Sequence, residues 1–266
     1  MHAPAGADAR IVSLVPSITE LVCDLGLAAQ VVGRTGFCVH PRATVRTIPK
    51  VGGTKDVDLE RLRALAPTHV IVNVDENRKE TVEAIAGFVP HVIVTHPLGP
   101  RDNPALYRLI GGVFGREREA EALCAQFEAA YAGAQRAAAD FAPQRVLYLI
   151  WRDPWMTVSR ETYIARTLAL VKWETLPAHA TARYPEIELD ERTLAGVDVV
   201  LASSEPYMFR SRHVAELAAM PALAGRRVAL IDGEMTSWYG SRAIAGLGYM
   251  PRFRRALAPG PEAGVS

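Results

Sequence analysis

Short apolar segments alternate with amphipathic ones along most of the chain. Residues 10–15, with the sequence RIVSLV, predict a buried strand, and residues 17–25 place apolar side chains on one face of a helix. Ser17 and Glu20 have the spacing of a helix-capping box. The alternation continues through a helix at 59–65, a strand at 70–74, a helix at 80–88 and a strand at 92–95. This order predicts a parallel sheet with helices on both faces.

The pattern changes at residues 116–141, which are rich in Ala, Glu, Gln and Arg and carry larger apolar side chains four residues apart. They predict one long helix, after which strands and helices alternate again. The predicted fold class is therefore α/β, with two Rossmann-like lobes joined by a backbone helix. In each half a short helix precedes a strand that is followed by an acidic residue, as in a repeated unit. The boundaries are an N-terminal lobe at 10–115, a spine helix at 116–141, a C-terminal lobe at 142–257 and a disordered tail at 258–266.

Composition excludes several classes of partner. The 266 residues contain 30 Lys and Arg against 29 Asp and Glu, a net charge of +1, so no bulk field attracts nucleic acid or anionic lipid.

No apolar run is long enough to cross a bilayer, which predicts a soluble protein without membrane insertion. We also expect the protein to be a monomer. The N-terminus lacks a signal-peptide pattern, so we expect a cytoplasmic protein as the sequence stands and a periplasmic one if a leader was removed. Three scattered cysteines do not predict a disulfide framework.

Sequence motifs of catalysis are missing: there is no GxGxxG, GxxxxGK[ST], GxSxG or HExxH. The leading interpretation is a binding protein with neither enzymatic activity nor an intrinsic cofactor or metal. Two alternatives stay open. One is an enzyme for a small metabolite that uses Cys38, His40, Glu76 or Glu205 as acid, base or nucleophile. The other is a receptor for a first-row metal ion that uses histidines from both halves.

Aromatic and charged residues collect in the loops that follow the predicted strands. Ligands of open parallel sheets bind outside the carboxyl ends of the strands, which these loops form. Three of the four tryptophans lie there. The candidate ligand-binding residues are Phe37, Cys38, His40, Thr54, Lys55, Asn77, Trp151, Arg152, Trp155, Tyr207, Phe209, Trp238, Tyr239 and Arg242.

Several blocks carry a family resemblance: RIVSLVPSITELVCDLG at 10–26, VVGRT at 31–35, KVGGTKDVDLERLRALAPTHVIVN at 50–73, ENR at 76–78 and the long helix after Gly115. They resemble the helical-backbone metal receptors, the class III substrate-binding proteins of ABC importers, and within these the cobalamin-binding branch more than the ferric-siderophore receptors. The resemblance implies a cleft between the lobes that holds a cobalamin-like corrinoid or another metal chelate. A ferric siderophore, heme or a first-row metal ion is the alternative ligand.

The resemblance also implies a partner. In ABC importers of this group an acidic residue on each lobe meets basic residues of the permease. The corresponding candidates here are Glu76 and Glu80 in the first half, and Glu205 and Glu216 in the second. An anionic siderophore would require a cluster of arginines, for which the sequence offers Arg34, Arg152 and Arg242.

Overall fold

The computed structural model describes residues 4–257, which form two compact units. Within these residues the first unit comprises 4–97, 101–128 and 239–242, and the second comprises 98–100, 129–238 and 243–257. The predicted tail at 258–266 lies outside the described residues. No helix in the described part of the chain has the length and apolar character needed to cross a bilayer.

The first unit contains one parallel four-stranded sheet with the strand order β2–β1–β3–β4. Its elements are β1 (Ile11–Ser13), α1 (Pro16–Asp24), β2 (Val31–Arg34), α2 (Arg42–Val45), α3 (Leu59–Ala64), β3 (His69–Asn73), α4 (Lys79–Ala86), β4 (His91–Thr95) and α5 (Asn103–Val113), with short 3₁₀ turns at Ala28–Gln30 and, leading into α5, Pro100–Asp102. The central strand β3 is buried along its whole length, as expected of a strand covered on both faces.

The helix α6 (Glu117–Ala137) follows α5. It has 21 residues, so it spans about 31 Å at 1.5 Å per residue. It is shorter at both ends than the predicted range of 116–141. Its residues up to Glu128 belong to the first unit and those from Ala129 onwards to the second.

The second unit repeats the arrangement with a parallel sheet of order β10–β9–β5–β7. Two further short strands, β6 and β8, pair antiparallel. Its elements are β5 (Gln144–Leu149), β6 (Trp155–Met156), α7 (Tyr163–Ala169), β7 (Trp173–Thr175), β8 (Glu186–Ile187), β9 (Val199–Ser203), α8 (Ser211–Ala218), a 3₁₀ turn at Pro221–Leu223, β10 (Arg227–Ile231), α9 (Gly233–Ser237) and α10 (Arg242–Ala256), whose first residue lies in the first unit.

Alternate residues of β5 enter different hydrophobic clusters. Val146 and Tyr148 pack into one cluster, whereas Leu147 and Leu149 pack into another. Because successive side chains of a strand point to opposite faces, the sheet has a core on each side. The predicted α/β class with parallel sheets is confirmed.

Two local predictions are wrong. Ser17 does not cap α1, because Val15 occupies the N-cap position and Pro16 begins the helix. The predicted second copy of a short helix before β9 is also missing, since residues 191–196 form turns. There Asp190 accepts a hydrogen bond from the backbone N–H of Thr193 at 2.8 Å, a bond that serves a turn as well as a helix.

Candidate ligand-binding site

In the loop after β2, residues 37–39 alternate between exposed and buried side chains. Phe37 is 62% exposed and Val39 is also exposed, whereas Cys38 between them is fully buried. The Cys38 thiol lies 3.0 Å from the hydroxyl of Thr19 and 3.2 Å from that of Thr35. Cys38 therefore anchors the loop from below, which differs from its expected place on the ligand surface. Phe37 and Val39 form the accessible face.

A glycine turn supports Phe37. A Cβ added to Gly53 would lie 3.4 Å from Cε2 of Phe37, so the ring lies against the turn. Gly52 has φ +98°, and a Cβ there would come within 2.3 Å of the carbonyl oxygen of Asp56. Only glycine fits this position without strain. Lys55, farther along the turn, is exposed and donates to the carbonyl of Asp75 at 2.7 Å.

Asn77 joins three segments of the first unit. Its side-chain amide donates to the carbonyls of Leu14 (3.3 Å) and Thr54 (3.0 Å), and its oxygen accepts from the backbone N–H of Asn73 (2.8 Å). The residue is buried, and both N–H groups of its amide are used within the protein. Asn77 thus holds the loops in place, a positioning role instead of the direct contact that was expected. Thr54 is half-buried and takes part through its backbone carbonyl.

The cysteines of the first unit are expected to react slowly in the folded protein. Burial raises the pKa of the Cys38 thiol and, with Asp24 and Glu20 nearby, raises that of Cys23 to about 11 from an ordinary 9.0. Because the thiolate is the reactive form, a pKa of about 11 lowers the thiolate fraction of Cys23 about a hundredfold near pH 8, and the raised pKa of Cys38 acts in the same direction. Alkylation by iodoacetamide, followed by mass spectrometry, should be slow in the native protein and fast after unfolding. Rapid native labelling of Cys38 would contradict this arrangement and favour its use as a nucleophile.

The loop after β5 forms an aromatic group in the second unit. The backbone N–H of Met156 donates to the carbonyl of Trp151 at 3.2 Å, and the backbone N–H of Tyr207 donates to the carbonyl of Ile150 at 3.2 Å. The rings of Trp151 and Tyr207 meet edge to face at 5.6 Å. Trp151 remains 40% exposed. Trp151 and the half-buried Tyr207 thus offer apolar surface at the carboxyl ends of β5 and β9.

Arg152 and Trp155 form a second contact in this loop. The guanidinium carbon of Arg152 lies 5.6 Å from the ring centre of Trp155, and its Nη1 donates to Glu216 at 2.5 Å. This hydrogen bond lowers the pKa of the Glu216 carboxyl and raises the pKa of the Arg152 guanidinium. Trp155 is half-buried and stacks on Phe209 at 6.3 Å. Arg152 is therefore already neutralised by a carboxylate of its own unit.

Neighbouring residues after β9 have opposite environments. Phe209 is 1% exposed and belongs to the hydrophobic core, so it supports Trp155 and Tyr207 and does not face solvent as expected. Met208 is 60% exposed. The sequence reasoning missed Met208, as it missed Val39 and the exposed Val74 after β3. Their positions beyond the strand ends were the available signal, but the selection of aromatic, charged and polar residues passed over aliphatic side chains and methionine.

The polar side-chain groups of Trp238 and Tyr239 each form a hydrogen bond within their own unit. In the second unit the indole N–H of Trp238 donates to Glu205 at 2.7 Å. In the first unit the hydroxyl of Tyr239 donates to Glu76 at 2.5 Å, and burial together with Glu76 raises the pKa of this tyrosine well above its usual value. Trp238 and Tyr239 are both buried.

Arg242, a predicted ligand contact, forms an ion pair inside the first unit. Its Nε and Nη2 donate to the two carboxylate oxygens of Glu20 at 2.7 and 2.6 Å. The two side chains are 13% and 14% exposed. This pair within the first unit joins residues that are 222 positions apart in the chain.

Metal-binding groups are sparse. The described residues contain no cluster of three or more His, Cys, Asp or Glu that could hold an ion. His40 is half-buried at the end of the loop that carries Phe37.

Known proteins show the same fold. A vitamin B12-binding protein of Pectobacterium atrosepticum is 23% identical over 187 residues, 68% of this chain and 67% of that protein. A periplasmic heme-binding protein of Roseiflexus sp. RS-1 is 25% identical with a TM-score of 0.80, covering 92% of this chain and 97% of the other. The periplasmic vitamin B12-binding protein of Vibrio cholerae is 15% identical with a TM-score of 0.79, covering 93% and 96%.

These likenesses confirm the predicted class III substrate-binding-protein fold. The family model described as periplasmic binding protein matches residues 11–234. Because this family consists of binding proteins without enzymatic activity, the prediction of a non-catalytic binding protein is confirmed as well. The chain belongs to the periplasmic binding protein family.

Proposed function

We propose that the protein binds a cobalamin-like corrinoid or another planar metal chelate. The observation that carries this proposal is that each unit exposes apolar side chains at the carboxyl ends of its strands. These are Phe37 and Val39 in the first unit and Trp151 and Met208 in the second. Flat apolar and aromatic surfaces suit the faces of a macrocycle, whose burial supplies most of the binding free energy. Relatives that bind vitamin B12 or heme support the same ligand class.

Charge favours a weakly charged ligand over a ferric siderophore. Each of the three arginines that the sequence offered for an anion has a partner in its own unit. Arg34 donates to the carbonyls of Val45 and Thr35, and Arg152 and Arg242 pair with carboxylates. A strongly anionic chelate would have to break these contacts, whereas the amide-rimmed corrinoid does not need them.

Trp151→Ala is expected to weaken cobalamin binding by about 1 to 3 kcal/mol, a five- to 150-fold rise in Kd. The exposed ring contributes apolar surface to the ligand and little to the core, so the thermal midpoint should change little. Titration of the purified variant by tryptophan fluorescence, with a calorimetric check, measures the effect.

Trp151→Phe is the matched control, because it keeps an aromatic face in the same place and should retain most of the affinity. Equal affinities of the alanine variant and the parent protein would return Trp151 to a structural role. If Trp155→Ala also leaves the affinity unchanged, the aromatic group of the second unit does not contact the ligand.

For transport we propose an ABC permease as the partner and Glu80 as a docking residue on the first unit. Glu80 is exposed in the first turn of α4. Of the other candidates, Glu76 accepts from Tyr239, Glu205 from Trp238 and Glu216 from Arg152. Glu80→Lys should leave cobalamin affinity unchanged while abolishing co-purification with an ABC permease that the parent protein binds when the two are co-expressed. Unchanged co-purification would refute the role of Glu80.

A further inference from the structure

A pocket lies at the end of the second unit's sheet where its strands begin. It has a volume of about 460 Å³ and is lined where strands β5, β9 and β10 begin. The candidate ligand loops follow the carboxyl ends of β5 and β9, so the pocket is separate from them. Three arginines line it, namely Arg227, Arg254 and Arg255.

Arg254 is the buried member of this set, with 6% of its surface exposed. Its guanidinium carbon lies 4.8 Å from the ring centre of Phe141 and 5.4 Å from that of Trp173. Nη2 donates to the carbonyl of Ala142. Nη1 is buried and has no hydrogen-bond partner.

An unpartnered guanidinium N–H is costly in a protein interior, because desolvating a charged donor is not offset by a bond. The same desolvation lowers the pKa of Arg254. An oxygen of a carboxylate or phosphate is the acceptor that best matches such a donor. Arg255 adds a second guanidinium beside the same ring, 5.6 Å from the centre of Phe141.

Two carboxylates also line the pocket and limit the charge it can hold. Asp198 accepts from the backbone N–H of Arg145 at 2.7 Å, so it is engaged at the start of β5. Asp140 is exposed at the rim. Three arginines against two aspartates leave one net positive charge, which suits a small ligand with a single anionic group.

We propose that this pocket binds a small oxyanion through Arg254, with Arg255 at its entrance. The ligand chemistry is a carboxylate or phosphate group on a molecule small enough for the pocket. This proposal does not rest on corrinoid binding, and we expect the anion to bind equally well with or without a corrinoid on the protein.

Calorimetric titration with inorganic phosphate and, separately, with acetate tests the proposal at constant ionic strength set with sodium chloride. We expect saturable one-to-one binding of at least one of them. Arg255→Ala should weaken it about fivefold and Asp140→Asn should strengthen it about twofold, as expected for charges near the surface. Both residues are exposed, so these variants should fold as the parent does.

Arg254→Lys should abolish binding, because an ammonium group does not reproduce the planar fork of donors. A circular dichroism melt checks that this variant is folded. The proposal is overturned if neither anion binds, if a folded Arg254→Lys variant binds as tightly as the parent, or if binding persists unchanged in both Arg255→Ala and Asp140→Asn. Cobalamin affinity should be the same in all three variants, which separates failure here from failure of the proposed function.

Discussion

Arg242→Ala is expected to lower the free energy of unfolding by about 3 kcal/mol. The substitution leaves the Glu20 carboxylate largely buried without the two hydrogen bonds that it accepts from the guanidinium. An uncompensated charge in such a site costs more than the ion pair contributes. Denaturant unfolding followed by circular dichroism measures the change.

Arg108→Ala is the matched control in the same unit. Arg108 also makes a two-pronged contact, with Glu121 at 2.6 and 2.8 Å, but these side chains are 55% and 57% exposed. Solvent screening should make the loss of stability much smaller than that of Arg242→Ala. If Arg242→Ala leaves stability unchanged and removes cobalamin binding, the arginine is a ligand contact after all.

Phe209→Ala is expected to lower mainly the stability of the protein, whereas Phe37→Ala is expected to lower mainly its affinity for cobalamin. Phe209 fills the core of the second unit, so its truncation should cost about 3 to 5 kcal/mol of stability. Phe37 is mostly exposed and should cost less than about 0.5 kcal/mol in stability while weakening cobalamin binding by about 1 kcal/mol or more. Parallel denaturant melts and titrations separate the two effects.

Leu109→Ala serves as the control for Phe37, because Leu109 is a partly exposed apolar residue on α5, away from the loop after β2. It should leave the affinity unchanged. A loss of affinity as large as that of Phe37→Ala would indicate a general effect on the first unit. A stable Phe209→Ala variant would contradict the core assignment.

The α/β architecture could be predicted because it depends on local periodicity. Local sequence alone predicts the strands β3, β5 and β9 from their apolar residues. It also predicts α6 from its long Ala- and Glu-rich segment. The capping box at Ser17 could not be judged in this way. Glu20, its supposed partner, pairs with Arg242 far along the chain, and no local pattern shows such a contact.

The candidate site was predictable to the level of loops only. Topology places the loops at the carboxyl ends of the strands, so Phe37, Trp151 and Tyr207 lie where the sequence predicts. Which side chain of a loop faces solvent depends on packing beneath it. Cys38 beside Phe37 and Phe209 beside Met208 show that adjacent residues take opposite environments.

Corrinoid binding is measured by titrating the purified protein with cyanocobalamin and hydroxocobalamin while following tryptophan fluorescence and the visible spectrum. We predict saturable one-to-one quenching of the fluorescence. The affinity should be lower in Trp151→Ala and in Phe37→Ala but not in Leu109→Ala. No binding of either cobalamin at high micromolar ligand would contradict it.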